Sequence, residues 1–482
     1  MVENQSRISY LPTDGLTYDP SDSMYWDKTA LDKEIERTFE ICHGCRMCFK
    51  YCDSFPTLFN FLDKQYEGEV KKIKPQETQQ IMDACFQCKL CEVQCPYTVR
   101  DGHQFKLDFP KLVHRHKAIH SKDKPRNLRD KILGNPDKSA GMARASFGIA
   151  NVMNRVGAHR WFMEKLLGIH REKLLPDFSF STFEKWATKK GLIRKNNKAE
   201  TVLFQTCYVQ HNEPQIGKDT IEVLEKNKVD CACVKGLKCC GMPAWEQGDL
   251  KTLRANAKHN LDILMPFVEQ GSRVLAINPT CAMMMRREYP ELLEGEDRER
   301  AKKLSGAIND PSEFLWNIRN EDRFNTDMNN LPTEAISYHA PCHLRAQGIG
   351  FKGRDLIKKV TGSKMKTVME CCGHDGTYAM KVESFEASKR IGQKSFNGMK
   401  TEETEVWVTD CPLAALQFKQ HAGVKPKHPM SILAEAYRSV DTDNKLENFI
   451  PINHSSQLKE SRNEACQPER NSGLCYLRRS AK

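Results

Sequence analysis

The stretches CHGCRMCFKYC, residues 42–52, and CFQCKLCEVQCP, residues 85–96, decide how the chain is read. Each has the spacing C-x2-C-x2-C-x3-C, formed by Cys42, Cys45, Cys48 and Cys52 in the first and by Cys85, Cys88, Cys91 and Cys95 in the second. Three thiolates two residues apart lie on one tight loop and can face a single iron-sulfur cubane. A pair of structural zinc sites competes with this reading. Zinc, however, needs only four ligands in C-x2-C pairs and leaves the third x2 step unexplained.

Working outward, the paired runs resemble a bacterial two-cluster ferredoxin. The resemblance implies two [4Fe-4S] clusters with exchanged fourth ligands, one on Cys42, Cys45, Cys48 and Cys95 and the other on Cys85, Cys88, Cys91 and Cys52. Pro96 follows the second run, whereas Asp53 follows the first, which loosens that loop without removing a ligand. Upstream, Leu31, Ile35 and Phe39 recur every four residues and predict a helix running into the first loop. The 32 residues between Cys52 and Cys85, with apolar Phe55, Leu58, Phe59 and Leu62, exceed the spacer of a compact ferredoxin. They resemble the helix-rich ferredoxins of multi-subunit respiratory enzymes. Residues 31–110 are thus expected to form an α-rich two-cluster ferredoxin domain, with residues 1–30 as an irregular arm laid over it.

At 482 residues the chain exceeds what one core serves, so several domains are expected. Hydrophobic residues make up 39% and mean hydropathy is −0.62, which predicts a soluble protein with much solvated surface. Met1–Tyr10 lacks a basic segment followed by an apolar one, and no run of eighteen apolar residues exists, so neither export nor a membrane span is expected. Twenty cysteines in such a chain point to cluster or metal ligation in a reducing compartment. The expected location is the cytoplasm, with peripheral attachment to the cytoplasmic face of the inner membrane as an option. A net charge of +11 suits nucleic acid, anionic lipid or an acidic partner. No zinc finger, RNA-recognition signature or aromatic-basic interleaving supports nucleic acid.

Residues 111–199 read as a basic and amphipathic helical connection. Its first part, 111–138, carries nine Lys or Arg against three Asp and is expected to be a solvated basic face, with an anionic membrane or an acidic partner protein as the alternative. Phe147, Ile149, Val152, Met153, Val156, Trp161, Phe162, Leu166 and Leu167 then form amphipathic helices. Burial of that stripe against the protein itself is expected, and contact with a membrane is the alternative.

The second half is an internal duplication. Cys207, the triplet Cys239-Cys240-Gly241 and Cys281 recur about 130 residues later as Cys342, Cys371-Cys372-Gly373 and Cys411. Short β-branched and aromatic runs precede the first and last cysteine of each copy: Val202–Phe204, Val274–Ile277, Ile336–Tyr338 and Val406–Val408. Helical stretches such as Thr220–Leu224 and Asp355–Val360 separate them, so each copy is expected to be an α/β lobe with a short parallel sheet and its cysteines just past the strand ends. The lobes are placed at 200–330 and 331–440. Residues 441–482, with Cys466 and Cys475, are expected to be a disordered polar tail without chemistry. Cys231-Ala232-Cys233 is expected to be buried packing, and His343 and His374 to be exposed loop residues.

The doubled C…CCG…C pattern resembles the cysteine-rich CCG domain of the heterodisulfide reductase B subunit and its relatives. Fused behind a two-cluster ferredoxin, with Cys207-Tyr208, Gly217-Lys218-Asp219, Tyr289-Pro290-Glu291 and Gly376-Thr377-Tyr378, it looks like the C-subunit family of anaerobic glycerol-3-phosphate dehydrogenases. The resemblance implies an iron-sulfur electron-transfer component of an oxidoreductase of anaerobic respiration. Such a component takes electrons from a flavoprotein dehydrogenase and passes them towards membrane quinone, with no catalytic residues of its own. It further implies additional iron-sulfur centres on Cys207, Cys239, Cys240 and Cys281 and on Cys342, Cys371, Cys372 and Cys411. In the fullest form of the family each lobe ends in C-x2-C. Here Met284 and Ala414 stand at the last position, so a five-cysteine noncubane cluster does not carry over. The alternative is a heterodisulfide reductase-like catalyst acting on a thiol or disulfide.

Overall fold

The computed structural model describes residues 8–438 apart from 124–125, 196–197, 333 and 402–403, so the polar tail with Cys466 and Cys475 lies outside the described residues. The N-terminal part is helical. Helix α1, Lys28–Cys45, starts where the Asp27 carboxylate accepts from the Ala30 N–H at 2.8 Å, and ends at Arg46, whose φ of 57° is left-handed. Its row Leu31, Ile35, Phe39 packs on Phe55, Leu58, Phe59 and Leu62 of α2, Ser54–Gln65. Pro75 opens α3, Pro75–Asp83, and Glu77 closes its first turn by accepting from the Lys74 N–H at 2.8 Å. A short α4, Leu90–Gln94, and the longer α5, Phe109–Asp123, complete the layer.

Helix α5 overturns the expectation of a solvated basic face. His114, Arg115 and His116 are buried, and the Arg115 guanidinium donates to the carbonyls of Tyr25 at 2.8 Å and Gly15 at 2.9 Å. Arg115 clamps the N-terminal arm, because a buried guanidinium needs several acceptors and an irregular arm offers unpaired carbonyls. Lys111 pairs with Glu291 at 2.8 Å, and Lys117 donates to the Cys85 carbonyl at 2.8 Å.

Two small parallel sheets form the second half. The strands β1 Thr201–Phe204, β2 Cys231–Cys233, β3 Arg273–Ala276 and β4 Ile308–Asn309 lie in the order β2-β1-β3-β4. The strands β5 Ala335–His339, β6 Met365–Val368 and β7 Thr404–Thr409 lie as β6-β5-β7. Val202 sits level with Ala232 and Val274, and Ile336 with Met365 and Val406, so the first strand of each copy is central in both. The chain is therefore mixed α/β, helical at its N-terminal end, with the duplication visible as two sheets of the same order. Cys231 and Cys233 are buried in β2. Ferredoxin and lobe residues share hydrophobic clusters: Cys342, Cys371 and Tyr378 pack with Phe86, Leu90 and Phe109. The described residues belong to one compact unit.

The connecting helices depart from expectation. Over 136–167 the chain folds as Pro136–Ala145, Ile149–Met153 and Gly157–Leu167. Ile149, Val152, Val156, Trp161 and Phe162 are exposed, as are Leu166 at 78% and Phe147 at 91%. Phe180, 84% exposed, lies against Gly148, where an added Cβ would meet its ring at 3.0 Å. No described helix is long and apolar enough to cross a membrane.

Candidate iron-sulfur centres

The first cysteine loop winds through Arg46 at φ 57° and the second through Gln87 at φ 65° and Lys89 at φ 60°. Left-handed residues turn the backbone sharply enough to aim successive thiols inward. Cys42, Cys45 and Cys48 and, from the other loop, Cys95 surround one cavity walled by Ile41, Phe55, Phe59 and Leu107. Cys52 lies beside Cys85 and Cys88, and Cys91 beside Cys85, Cys88 and Cys52. The fourth cysteine of each run thus faces the first three of the other. The two groups adjoin, since the Cys48 Sγ lies 3.7 Å from the Cys91 carbonyl.

Burial, then the neighbouring Cys95 and Cys45, pushes the Cys48 thiol up to about 12, and the same causes hold Cys42 well above the usual thiol range. Thiols crowded in this way lose their protons only against a strong local positive charge, which iron supplies. This donor set, all sulfur around an apolar cavity, fits a cubane. Among the described residues no three Cys, His, Asp or Glu side chains gather tightly enough to hold a single ion.

In the lobes each cysteine of the C…CCG…C pattern stands past a strand end. Cys207 follows β1, Cys239-Cys240 follow β2 and Cys281 follows β3; Cys342, Cys371-Cys372 and Cys411 follow β5, β6 and β7. In lobe 1 the Cys207 thiol lies in hydrogen-bonding contact with Cys239, Cys239 with Cys240 and Cys240 with Cys281, a continuous set of four free thiols. Hydrogen bonds from Cys207 and Cys240 pull Cys239 well below the usual thiol range. Thr206, beside this set, holds φ 68°, a conformation that costs a β-branched residue energy. In lobe 2 Cys371 contacts Cys342, and Cys372 neighbours Cys411; burial, then Cys411, pushes Cys372 up to about 12. Both triplet glycines are left-handed, Gly241 at φ 92° and Gly373 at φ 75°. At Gly373 an added Cβ would fall 2.0 Å from the Ser388 carbonyl oxygen. The conformation and the close approach explain the glycine of each CCG.

Met284 is buried in the lobe 1 core, and Ala414 is buried with its N–H donating to the Cys411 Sγ at 3.5 Å. At both positions the chain offers packing or a hydrogen bond where a fifth thiolate would stand.

His343 corrects the expectation of an exposed loop histidine. It is buried between the Thr280 Oγ1 at 3.0 Å, the Gln87 carbonyl at 3.0 Å and Asp375 at 2.9 Å. Burial opposes its charge, but Asp375 more than offsets this and raises its pKa. Both ring nitrogens of His374 are also buried, with no hydrogen-bond partner. Spacing could not show the burial of His343, because it depends on the ferredoxin loop that carries Gln87 lying against lobe 2. The contact between that loop and lobe 2 is direct, for the Cys88 and Cys371 thiols lie within hydrogen-bonding reach of each other. On the far side, Cys411 lies near enough to Cys281 to feel its charge.

Residues 41–100 match the 4Fe-4S dicluster domain, and residues 201–286 and 336–419 each match the cysteine-rich CCG domain. The dicluster domain implies two [4Fe-4S] clusters. Over 327 residues the chain is 28% identical to the C subunit of the anaerobic glycerol-3-phosphate dehydrogenase of Escherichia coli strain K12, covering 67% of this chain and 81% of that protein. It is also 28% identical over 188 residues to the lactate utilization protein A 2 of Bacillus cereus strain AH820, covering 38% of this chain and 74% of that protein.

Proposed function

For a chain built like the C subunit of anaerobic glycerol-3-phosphate dehydrogenase, a dicluster iron-sulfur domain followed by two cysteine-rich domains, we propose a one-electron relay. It takes electrons from a flavoprotein dehydrogenase and delivers them towards membrane quinone. In this reading Cys42, Cys45, Cys48 and Cys95 hold one cubane, and Cys85, Cys88, Cys91 and Cys52 hold the other. Cys207, Cys239, Cys240 and Cys281 hold a centre in lobe 1, and Cys342, Cys371, Cys372 and Cys411 hold one in lobe 2. Bound clusters supply reversible one-electron storage. The residues supply the path.

The observation that carries this reading is the continuity of the thiol sets. They pass from Cys48 by the Cys91 backbone, through the Cys88–Cys371 contact, and on to the Cys411–Cys281 approach. Four thiolates also close a centre to substrate, and Met284 and Ala414 add no further ligand of comparable strength. Delivery to the membrane is supported by the exposed apolar side chains of Phe147, Leu166 and Phe180.

The test uses anaerobically purified, dithionite-reduced full chain. It should reduce a quinone analogue and release no thiol from an added heterodisulfide, and Cys372→Ser should abolish the quinone reaction. Catalytic thiol release, or a new paramagnetic signal induced by free thiol, would replace the relay with the reductase.

A further inference from the structure

The lobes are copies with equivalent CCG loops, yet the connection between ferredoxin and lobe 1 sends a different charge to each. Asp137, at the start of the helix Pro136–Ala145, reaches lobe 1: its Oδ2 accepts from the Cys239 N–H at 2.7 Å, and its negative charge acts on Cys207 and Cys239. Its Oδ1 faces the His211 Nε2 at 3.2 Å, while the His211 Nδ1 lies 2.6 Å from Arg144 Nη1. A ring that accepts from arginine at Nδ1 carries its proton at Nε2 and is neutral, so it donates to Asp137 without cancelling the carboxylate charge. The Arg144 cation is one ring further away.

Lys173, from the irregular segment after Gly168, reaches lobe 2. It is 3% exposed, its ammonium donates to the Gln417 Oε1, and among the described residues no carboxylate lies within ion-pairing distance of it. Gln417 donates to Ser388 Oγ at 3.1 Å, and Ser388 donates to the Gly373 carbonyl at 2.6 Å, which ties the lysine to the CCG loop. The thiol whose charge acts on Lys173 is Cys372. The carboxylate of Asp375 also acts on Cys372, Cys342 and Cys411, and it faces His343 at 2.9 Å, which offsets part of its charge. A buried ammonium with no carboxylate needs a negative charge close by, and a thiolate-ligated centre at Cys372 is what the site offers.

We propose that the connecting segment sets the two lobes apart electrically: Lys173 raises the reduction potential of the lobe 2 centre, Asp137 lowers that of lobe 1, and an electron entering the pair comes to rest on lobe 2. The inference rests on the reading that each lobe holds an iron-sulfur centre. Adding an electron adds negative charge, and in a poorly polarisable interior a fixed cation favours it while a fixed carboxylate opposes it. Although the second ferredoxin loop touches both lobes, its Cys88 thiol meets the Cys371 thiol of lobe 2, which gives an electron direct entry to that lobe. Lys173 and Asp137 are positioning residues, since both act through the cysteines.

The experiment is a dithionite redox titration of the anaerobic full-length holoprotein followed by EPR, with iron content measured on every variant. Two lobe signals at separate potentials are expected, the higher one vanishing in Cys372→Ser. Lys173→Gln should move the higher potential downward and Lys173→Arg should leave it in place. Asp137→Asn, which keeps an acceptor for the Cys239 N–H, should move only the lower potential upward. Equal lobe potentials, or variants with full iron content and unmoved potentials, overturn the inference alone. Iron sufficient only for the two ferredoxin clusters overturns the lobe-centre reading and the inference with it. If Lys173→Gln does not fold, Lys173→Met takes its place with the same downward shift expected, and Asp137→Asn decides for lobe 1 by its upward shift.

Discussion

Gly373 shows how a single residue type is fixed by its surroundings. Its φ of 75° suits glycine, and the Ser388 carbonyl stands 2.0 Å from where a Cβ would go. Gly373→Ala must therefore push away the helix Phe385–Met399 that carries Ser388, and with it the backbone that presents Cys371 and Cys372. Strain at a left-handed position with a backbone clash costs on the order of 1–3 kcal/mol. We expect the alanine variant to melt lower and to lose the lobe 2 signal while both ferredoxin clusters survive in EPR; an unchanged lobe 2 signal would refute the account. At this scale the sequence is legible where chemistry dictates spacing. The cysteines of both loops and both triplets could be named from their intervals, and all of those in one set of four line one cavity. His343 and Lys173 could not, because nothing local marks a residue whose partners lie in another part of the chain.

Among elements, strands were more legible than the helices between ferredoxin and lobes. The runs Val202–Phe204 and Ile336–Tyr338 fall within β1 and β5, since short β-branched segments between turn signals have few other ways to be buried. Helix α5 misled because charge count does not reveal whether arginines face water or a set of carbonyls, as Arg115 does. The helices over 149–167 misled in the opposite sense, because periodicity reports an apolar stripe and not what covers it. Phe147, Ile149, Phe162 and Leu166 leave that stripe uncovered. Apolar side chains that insert at a lipid boundary are little affected by salt, unlike a basic patch screened over about 10 Å at 0.1 M. Cosedimentation of the full chain with anionic vesicles should thus persist in high salt and fall several-fold in the combined variant Phe147→Ser, Phe162→Ser, Leu166→Ser. Loss of wild-type binding in salt would return the anchor to electrostatics, and an unaffected triple variant would remove these side chains from it.

Taken whole, the molecule places the second ferredoxin loop inside the fold of the lobes. Lys89, from that loop, is fully buried and pairs with Glu288 of lobe 1 at 2.5 Å, with its ammonium 5.3 Å from the Trp245 ring. Glu92 pairs with Arg287 at 2.5 Å, Phe86 lies 4.8 Å from Tyr378 of lobe 2, and the Gln87 carbonyl meets His343. A ferredoxin joined only by a linker would melt by itself; one keyed into two lobes by buried charge cannot leave without stranding Glu288. Breaking such a pair from one side costs about 3–5 kcal/mol, whereas replacing both partners with apolar residues is often neutral. Glu288→Ala should therefore lower the melting temperature sharply, and the double variant Lys89→Met, Glu288→Leu should recover most of the loss. In each protein, held anaerobic and cluster-loaded, the visible absorbance of the clusters and the far-ultraviolet helix signal should disappear together. A cluster absorbance that bleaches in a separate, earlier transition, or a Glu288→Ala protein as stable as the parent, would show that the ferredoxin folds apart from the lobes and that the Cys88–Cys371 contact does not hold them together.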